Sequence, residues 1–141
     1  MKVIIHKKDS DISKALFAKL NSGLGYTMDG FDEIVEFNDK GKPVGIVTIN
    51  ICQYEVYLDI YAPGFQLTRS AIATFFEHAF THRPRLTCIV SSRNTHCQQF
   101  LLRLGFQLEG CKRCAFDGIN DELYFGMLYE DWINTRWAKY I

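Results

Sequence analysis

Residues 94–110, which read NTHCQQFLLRLGFQLEG, contain the pattern that decides the fold. Four side chains in this stretch recur at i, i+3, i+4 and i+7, namely Cys97, Phe100, Leu101 and Leu104. This spacing places them on one face of an α-helix. Asn94 is a residue type that caps helix N-termini, and Gly105 stands where a helix end commonly needs a left-handed residue. The stretch therefore predicts a helix that begins after Asn94 and ends at Gly105.

Both neighbours of this helix are predicted to be β-strands. Downstream, Phe106 and Leu108 alternate with Gln107 and Glu109, which is the two-residue period of a strand. Upstream, residues 86–91 (LTCIVS) form a short run that is rich in strand-forming residues. The unit is strand, helix, strand, with a polar Asn where the first strand meets the helix.

The remaining elements are predicted from the same two periods. Further strands are expected over residues 2–6, 33–37, 44–50, 54–61 and 122–129, and helices over residues 12–20, 68–82 and 130–139. The strand after Gly105 is expected to include Cys111 and Cys114. Four hairpin-like strands followed by strand–helix–strand crossovers indicate an α/β fold, with a mixed sheet of six to seven strands and helices on both faces.

The length and amino-acid composition argue against nucleic-acid-binding and membrane proteins. At 141 residues, positions 1–141 are expected to form a single domain. Lys plus Arg and Asp plus Glu both number 16, so no overall field favours nucleic acid or an anionic membrane. No apolar run approaches the roughly 20 residues of a membrane helix, and the chain begins with too short an apolar stretch for a signal peptide. We therefore expect no nucleic-acid partner and no membrane association.

The five cysteines, in the absence of a secretory signal, indicate a reduced, cytoplasmic setting. Cys111 and Cys114 form the only Cys-x-x-Cys pair. On one strand an offset of three sends two side chains to opposite faces, which argues against a shared metal ion or a redox disulfide.

A family resemblance is carried by separated positions in the second half of the chain: Asn94, Cys97, Arg103, Leu104, Gly105, Phe106, Glu109, Gly110, Asp121, Tyr124 and Trp132. With these residues the chain resembles the Gcn5-related N-acetyltransferases (GNAT). It is most similar to the branch that acetylates ribosomal-protein N-termini (RimJ/RimL-like). That branch carries Asn and Ser three residues apart, a basic-Leu-Gly-Phe sequence, Glu-Gly, and an Asp before a Tyr-rich strand and a Trp. The resemblance implies a GNAT-like acetyltransferase domain.

The resemblance also implies acetyl-CoA as co-substrate, in a gap between two splayed parallel strands, with its pyrophosphate at a helix N-terminus. The positions that would hold it are Ile60, Tyr61, Gln66, Leu67, Thr68, Arg69 and Asn94. A bound anion would explain a cation in the first turn of that helix, at Arg69, although a solvated side chain is the alternative. The family's loop is Gln/Arg-x-x-Gly-x-Gly/Ala, and this chain departs from it with Pro63, Gln66 and Thr68.

The resemblance implies three catalytic candidates: Glu55, Asp59 and Cys97. Acetyl transfer needs a base for the acceptor ammonium and a proton for the leaving thiolate. Glu55 matches the family's strand carboxylate and Asp59 is a second candidate; the alternative for both is an ordinary solvated carboxylate. Cys97 replaces a Ser near the thioester and keeps a weak S–H donor; its alternative is a small apolar helix residue. The family's acid tyrosine would fall at Leu101.

The neighbouring pair His96 and Cys97 is not a Cys–His nucleophile, since adjacent helix residues do not face each other. The function favoured is an acetyl-CoA-dependent N-acetyltransferase that moves the acetyl group directly to a primary amine. The acceptor is a protein N-terminus, a lysine or a small molecule, and the protein is expected to be a monomer or homodimer. The alternative is a non-catalytic GNAT-fold binding or structural protein, for example a phage-encoded one, that has lost normal CoA binding.

Overall fold

The computed structural model describes residues 2–7, 32–37, 40, 43–61 and 68–140, which form a seven-stranded mixed sheet with helices packed against it. The strands are β1 (Lys2–Lys7), β2 (Asp32–Phe37), β3 (Pro43–Ile51), β4 (Val56–Tyr61), β5 (Arg85–Ser91), β6 (Gln107–Lys112) and β7 (Glu122–Leu128). Their order across the sheet is β1-β2-β3-β4-β5-β7-β6. The predicted α/β fold is confirmed.

The sheet changes its mode of connection at β4. β1 to β4 form an antiparallel meander, whereas β4 and β5 are parallel and joined through helix α1 (Arg69–His82). β5 then leads through α2 (Thr95–Leu104) to the edge strand β6, and β7 returns between them, antiparallel to both. Ligands of α/β sheets commonly bind at the carboxyl ends of strands where the connection changes direction.

One face of the sheet is apolar and packs against α1 and α2. Val56 and Leu58 of β4 lie in register with Leu86 and Cys88 of β5, and all four are buried. The largest buried helix side chains in the same cluster are Phe75, Phe76, Phe100, Leu101 and Leu104. Cys97 packs against this cluster, so the predicted apolar stripe of α2 is confirmed.

The ends of α2 follow the predicted caps. Asn94 Oδ1 accepts a hydrogen bond from the Cys97 amide at 3.1 Å. Gly105 is left-handed with φ 109°, and a Cβ there would lie 3.0 Å from Thr135 Cγ2 and 3.2 Å from Met127 Cε. Both the conformation and the close packing require glycine.

Two expectations near the end of the chain were wrong. β6 ends at Lys112, and Cys114 lies in a turn with φ 56° rather than in the strand. The Cys114 amide donates to Asp121 Oδ1 at 2.9 Å, and this contact turns the chain out of the sheet. The predicted helix over 130–139 is instead two elements, α3 (Tyr129–Ile133) and a 3₁₀ helix (Arg136–Tyr140).

Other boundaries shift slightly: β4 begins at Val56, so Glu55 precedes it, and β7 ends at Leu128. The predicted helix over residues 12–20 lies outside the described residues. The expectation of helices on both faces of the sheet therefore stays a prediction. None of the described helices is both long and apolar enough to cross a membrane.

Candidate active site

The candidate site lies where β4 and β5 separate. Three residue pairs join the two strands, and the last of them is Leu58 with Cys88. Beyond that pair, β5 stays bound to β7 through Ser91, and β4 stays bound to β3 through Tyr61. The strands therefore diverge towards their carboxyl ends, as the family resemblance implied.

A cavity of about 420 Å³ occupies this separation, and we call it the cleft. It is lined by β4, by β5, by the start of α2 and by the β6–β7 loop: Leu58, Asp59, Ile60, Cys88, Ile89, Val90, Ser91, Arg93, Asn94, Cys97, Phe116, Asp117 and Asn120. Its size lies in the range of ligand sites, roughly 300–1,000 Å³. A buried carboxylate, a thiol, an amide and a guanidinium thus converge on one mixed polar and apolar space.

Asp59 is the buried carboxylate of the cleft, and only 4% of it is exposed. The Thr48 hydroxyl, on the paired residue of β3, donates to Asp59 Oδ2 at 3.3 Å. A hydrogen-bonded partner is what makes a buried carboxylate tolerable. Asp59 lies on the face of the sheet that points away from α1 and α2. Tyr57 and Thr87 lie on the same face, and we call it the polar face.

Cys97 and Cys88 are the two thiols that line the cleft, and Cys97 is the one at the start of α2. Burial raises its pKa to about 11, so the side chain is a protonated S–H at neutral pH. Burial also raises the pKa of the neighbouring Cys88 well above its ordinary value. Neither thiol is activated as a nucleophile, because nucleophilic cysteines need a lowered pKa. His96 is exposed on a different side of the helix, in agreement with the exclusion of a Cys–His pair.

Side-chain and backbone hydrogen bonds together hold the turn between β5 and α2, including one from the Ser92 amide to the Asp121 carbonyl oxygen at 2.9 Å. Gln98 Nε2 donates to the carbonyl oxygens of Ser91 at 3.2 Å and Ser92 at 2.9 Å. Together with the Asn94 cap, these bonds fix the start of α2 against the end of β5. Asn94 and Cys97 are thereby held at the rim of the cleft.

Glu55 lies elsewhere, in a second cavity of about 410 Å³ on the polar face. The Thr87 hydroxyl donates to its carboxylate, and Arg85 Nε stands 3.8 Å from Glu55 Oε1. Arg85 also makes two hydrogen bonds to Glu109, one of them from Nη1 at 3.2 Å. Gly126 leaves the room for this pair, since a Cβ there would overlap the Glu109 carboxylate. The structure therefore separates Glu55 from Asp59 and Cys97.

The expected co-substrate residues are only partly described. Ile60 and Asn94 line the cleft, and Tyr61 is the last residue of β4. Thr68 is the N-cap of α1, and its hydroxyl accepts from the Ala71 amide at 3.1 Å. Gln66 and Leu67 lie outside the described residues. Arg69 lines a different cavity, together with Arg103 and Arg136.

Sequence reasoning missed Arg93 and the residues of the β6–β7 loop that line the cleft. Asp117 Oδ1 accepts from the amides of Asn120 at 2.7 Å and Ile119 at 2.9 Å. These bonds, the Asn120 amide first, lower the pKa of Asp117, so this carboxylate organises the loop as an anion. The Asp-Gly turn itself was predicted, but its proximity to the cleft depends on the sheet order. Within the described part of the chain, no cluster of His, Cys, Asp and Glu could hold a metal ion.

No family model matches the sequence, and no curated protein sequence is significantly similar to it. Solved structures do match. A mutant form of the spermidine/spermine N-acetyltransferase SpeG from Vibrio cholerae superposes with a TM-score of 0.71 at 16% identity, over 94% of this chain and 98% of its own. The chain has the fold of this N-acetyltransferase. Nourseothricin acetyltransferase gives a TM-score of 0.67 at 18% identity, over 89% of this chain and 98% of its own.

Proposed function

We propose that this protein is an N-acetyltransferase that transfers the acetyl group of acetyl-CoA directly to a primary amine. The observation that carries the proposal is the divergence of β4 and β5 beyond Leu58 and Cys88, which opens the cleft beside buried Asp59. The likeness in fold to acetyltransferases of small amines supports it. A single domain, a cytoplasmic location and a monomeric or homodimeric state are parts of the same proposal.

The residues of the cleft suit the thioester end of acetyl-CoA. From Asp59 to Tyr61, β4 has no described pairing with β5, so its edge offers backbone donors and acceptors to the amides of a pantetheine arm. The bound molecule supplies an activated acyl group. Asn94 and Cys97 stand opposite this edge, at the start of α2.

Asp59 and Cys97 have different roles in the transfer: Asp59 accepts a proton, and Cys97 donates a hydrogen bond. Asp59 accepts, through water, the proton that the acceptor amine must lose before its nitrogen attacks the acetyl carbon. As the new C–N bond forms and the C–S bond breaks, the S–H of Cys97 donates a hydrogen bond to the leaving sulfur. The leaving thiolate takes up the second proton, which the acetylated nitrogen releases, and becomes the free thiol of CoA. Its raised pKa keeps that proton in place and favours direct transfer over an acyl-enzyme at Cys97. Glu55 is the alternative base, but Arg85 and Thr87 already engage its carboxylate.

The acceptor is proposed to be a primary amine that approaches over the polar face. A small amine such as the spermidine and spermine in the name of SpeG, a lysine, or a protein N-terminus as in the RimJ/RimL-like branch would all react in this way. A non-catalytic member of the fold is the alternative function. It is favoured by Leu101, which is fully buried where the family has its acid tyrosine.

Binding of acetyl-CoA distinguishes the two functions without knowledge of the acceptor. A ligand at about 100 times its Kd adds roughly 2.7 kcal/mol to stability, so acetyl-CoA and desulfo-CoA should each raise the Tm. Release of free CoA in the presence of spermidine, and separately of a peptide with a free N-terminus, then reports transfer. An unchanged Tm at millimolar acetyl-CoA would favour the non-catalytic function.

A further inference from the structure

The described lining of the cleft contains one cation, Arg93, and two carboxylates, Asp59 and Asp117. Arg93 lies two residues beyond the end of β5 and directly before the cap of α2. Its amide donates to Ser91 Oγ at 3.2 Å, and its carbonyl oxygen accepts from the Thr95 amide at 3.1 Å. These backbone bonds attach the cation to the rim of the cleft.

The carboxylates of the cleft are engaged by other groups. Asp59 Oδ2 accepts from the Thr48 hydroxyl. Asp117 accepts two amides of its own loop at Oδ1 and the Asn120 side-chain amide at Oδ2, the latter at 2.8 Å. In the part of the chain that the structure describes, the exposed Arg93 side chain forms no ion pair and no hydrogen bond. Its guanidinium therefore keeps five N–H donors for a ligand.

The rim of the cleft at Arg93 suits a carboxylate. A guanidinium binds a carboxylate through two parallel hydrogen bonds, which adds geometric specificity to the charge attraction. Helix α2 starts at the same place, is ten residues long and has no acidic residue in its first turn. The positive end of its dipole therefore attracts an anion from the same side.

This anion belongs to the acceptor rather than to the co-substrate. The acetyl group and the pantetheine arm, which we place along the edge of β4, carry no negative charge. The phosphates of CoA lie at the far end of that arm. The acceptor is therefore the molecule that brings an anion into the cleft.

The closed end of the cleft suits the amine of the same acceptor. Continuing the register of β4 and β5 places Asp59 level with Ile89. Ser91, the last residue of β5, is two residues further, about 7 Å along the strand, and Arg93 lies beyond it. Asp59 is thus deeper in the cleft than Arg93. An acceptor that lies along the cleft presents its ammonium group to Asp59 and its carboxylate to Arg93.

We propose that the acceptor is an amino acid whose primary amine and carboxylate are several bonds apart, and that Arg93 binds the carboxylate. The reaction is the transfer described above, so its products are the N-acetylated amino acid and the free thiol of CoA. That the amine is acetylated rests on the proposed function. That the cleft binds a carboxylate at Arg93 rests on the residues of the rim.

The kinetic test compares amino acids with the amines that lack only the carboxylate: 4-aminobutanoate with propylamine, and L-lysine with 1,5-diaminopentane. In the parent, kcat/KM should be about tenfold or more higher for each amino acid, because the carboxylate adds charge-assisted hydrogen bonds. Arg93→Ala should bring the ratio of the two kcat/KM values close to one, mainly through KM. Arg93→Lys should keep part of the preference. Arg113→Ala, an equal loss of charge at an exposed residue outside the cleft, should keep the ratio of the parent.

A binding test does not depend on turnover. Calorimetry measures the affinity of the full chain for N-acetyl-4-aminobutanoate and for N-propylacetamide, which has the same amide without the carboxylate. The parent should bind the first about tenfold or more tightly than the second. Arg93→Ala should remove this difference, and its affinity for acetyl-CoA should equal that of the parent.

Equal affinity of the parent for the two amides, or a preference for the carboxylate that survives in Arg93→Ala, would overturn the inference. So would weaker binding of acetyl-CoA by Arg93→Ala with an unchanged acceptor preference, because Arg93 would then belong to the co-substrate site. If amines are acetylated without any preference for a carboxylate, the inference fails and the proposed function stands. If the carboxylate binds through Arg93 but no amine is acetylated, the carboxylate site stands and the proposed catalysis fails.

Discussion

Leu58 and Cys88 form the last residue pair between β4 and β5, and the two strands diverge immediately beyond them. Both side chains are buried in the α1–α2 core, which fixes the point of divergence. The next residue of β4, Asp59, is consequently placed in the wall of the cleft rather than in a closed sheet. The register of one parallel pair thus decides which carboxylate can reach a ligand.

Asp59→Asn should lower turnover about a hundredfold or more, because the amide cannot accept the acceptor's proton. Affinity for acetyl-CoA should change little. Glu55→Gln, an equivalent change in the second cavity, should have a smaller effect. Steady-state kinetics with calorimetry of acetyl-CoA binding measures both. The reverse order of effects would transfer the role of base to Glu55.

Cys97 should make stability depend on pH in the alkaline range. Burial raises its pKa from 9.0 to about 11, so the folded protein holds this proton more tightly than the unfolded chain does. The contribution is fully present below about pH 9 and is lost as pH rises through about 11. Relative to Cys97→Ser, the parent should lose about 2–3 kcal/mol of unfolding free energy between these pH values. The measurement is the unfolding free energy from urea denaturation at a series of pH values. If this free energy depends on pH in the same way in the parent and in Cys97→Ser, the prediction is contradicted.

Gly105→Ala should destabilise the protein by about 1–2 kcal/mol or more, since an L-residue at φ 109° is strained and its Cβ would crowd Thr135. Gly110→Ala is the matched control, because no atom lies within 4 Å of a Cβ at that position. Urea denaturation compares the two variants with the parent. Similar midpoints for both would show that the end of α2 tolerates a side chain.

Thr68→Ala should cost about 1 kcal/mol through loss of the bond to the Ala71 amide, whereas Thr68→Ser should retain it. Thermal and urea unfolding measure the difference. If the alanine variant is as stable as the serine variant, the start of α1 is held by other contacts.

Short-range patterns in the sequence correctly predicted the elements around α2. An apolar spacing of 3.6 residues, a side-chain cap at Asn94 and a left-handed Gly105 are local properties, and each was confirmed within one or two residues. The prediction for Cys114 failed because a side chain outside the strand bonds to its backbone. The Cys114 amide donates to the Asp121 carboxylate, seven residues later, and the chain turns there. A hydrophobic period in the sequence does not predict a hydrogen bond of this kind.

The sequence by itself determined the candidate residues and the type of fold, because residue chemistry and hydrophobic period are present in the chain before it folds. The tertiary structure decided their grouping. It placed Asp59, Cys97 and Asn94 around one cleft, assigned Glu55 to a second cavity, and brought Arg69, Arg103 and Arg136 together from positions up to 67 residues apart. The physical reason is that strand register and helix packing set these distances, and both depend on contacts between residues remote in sequence.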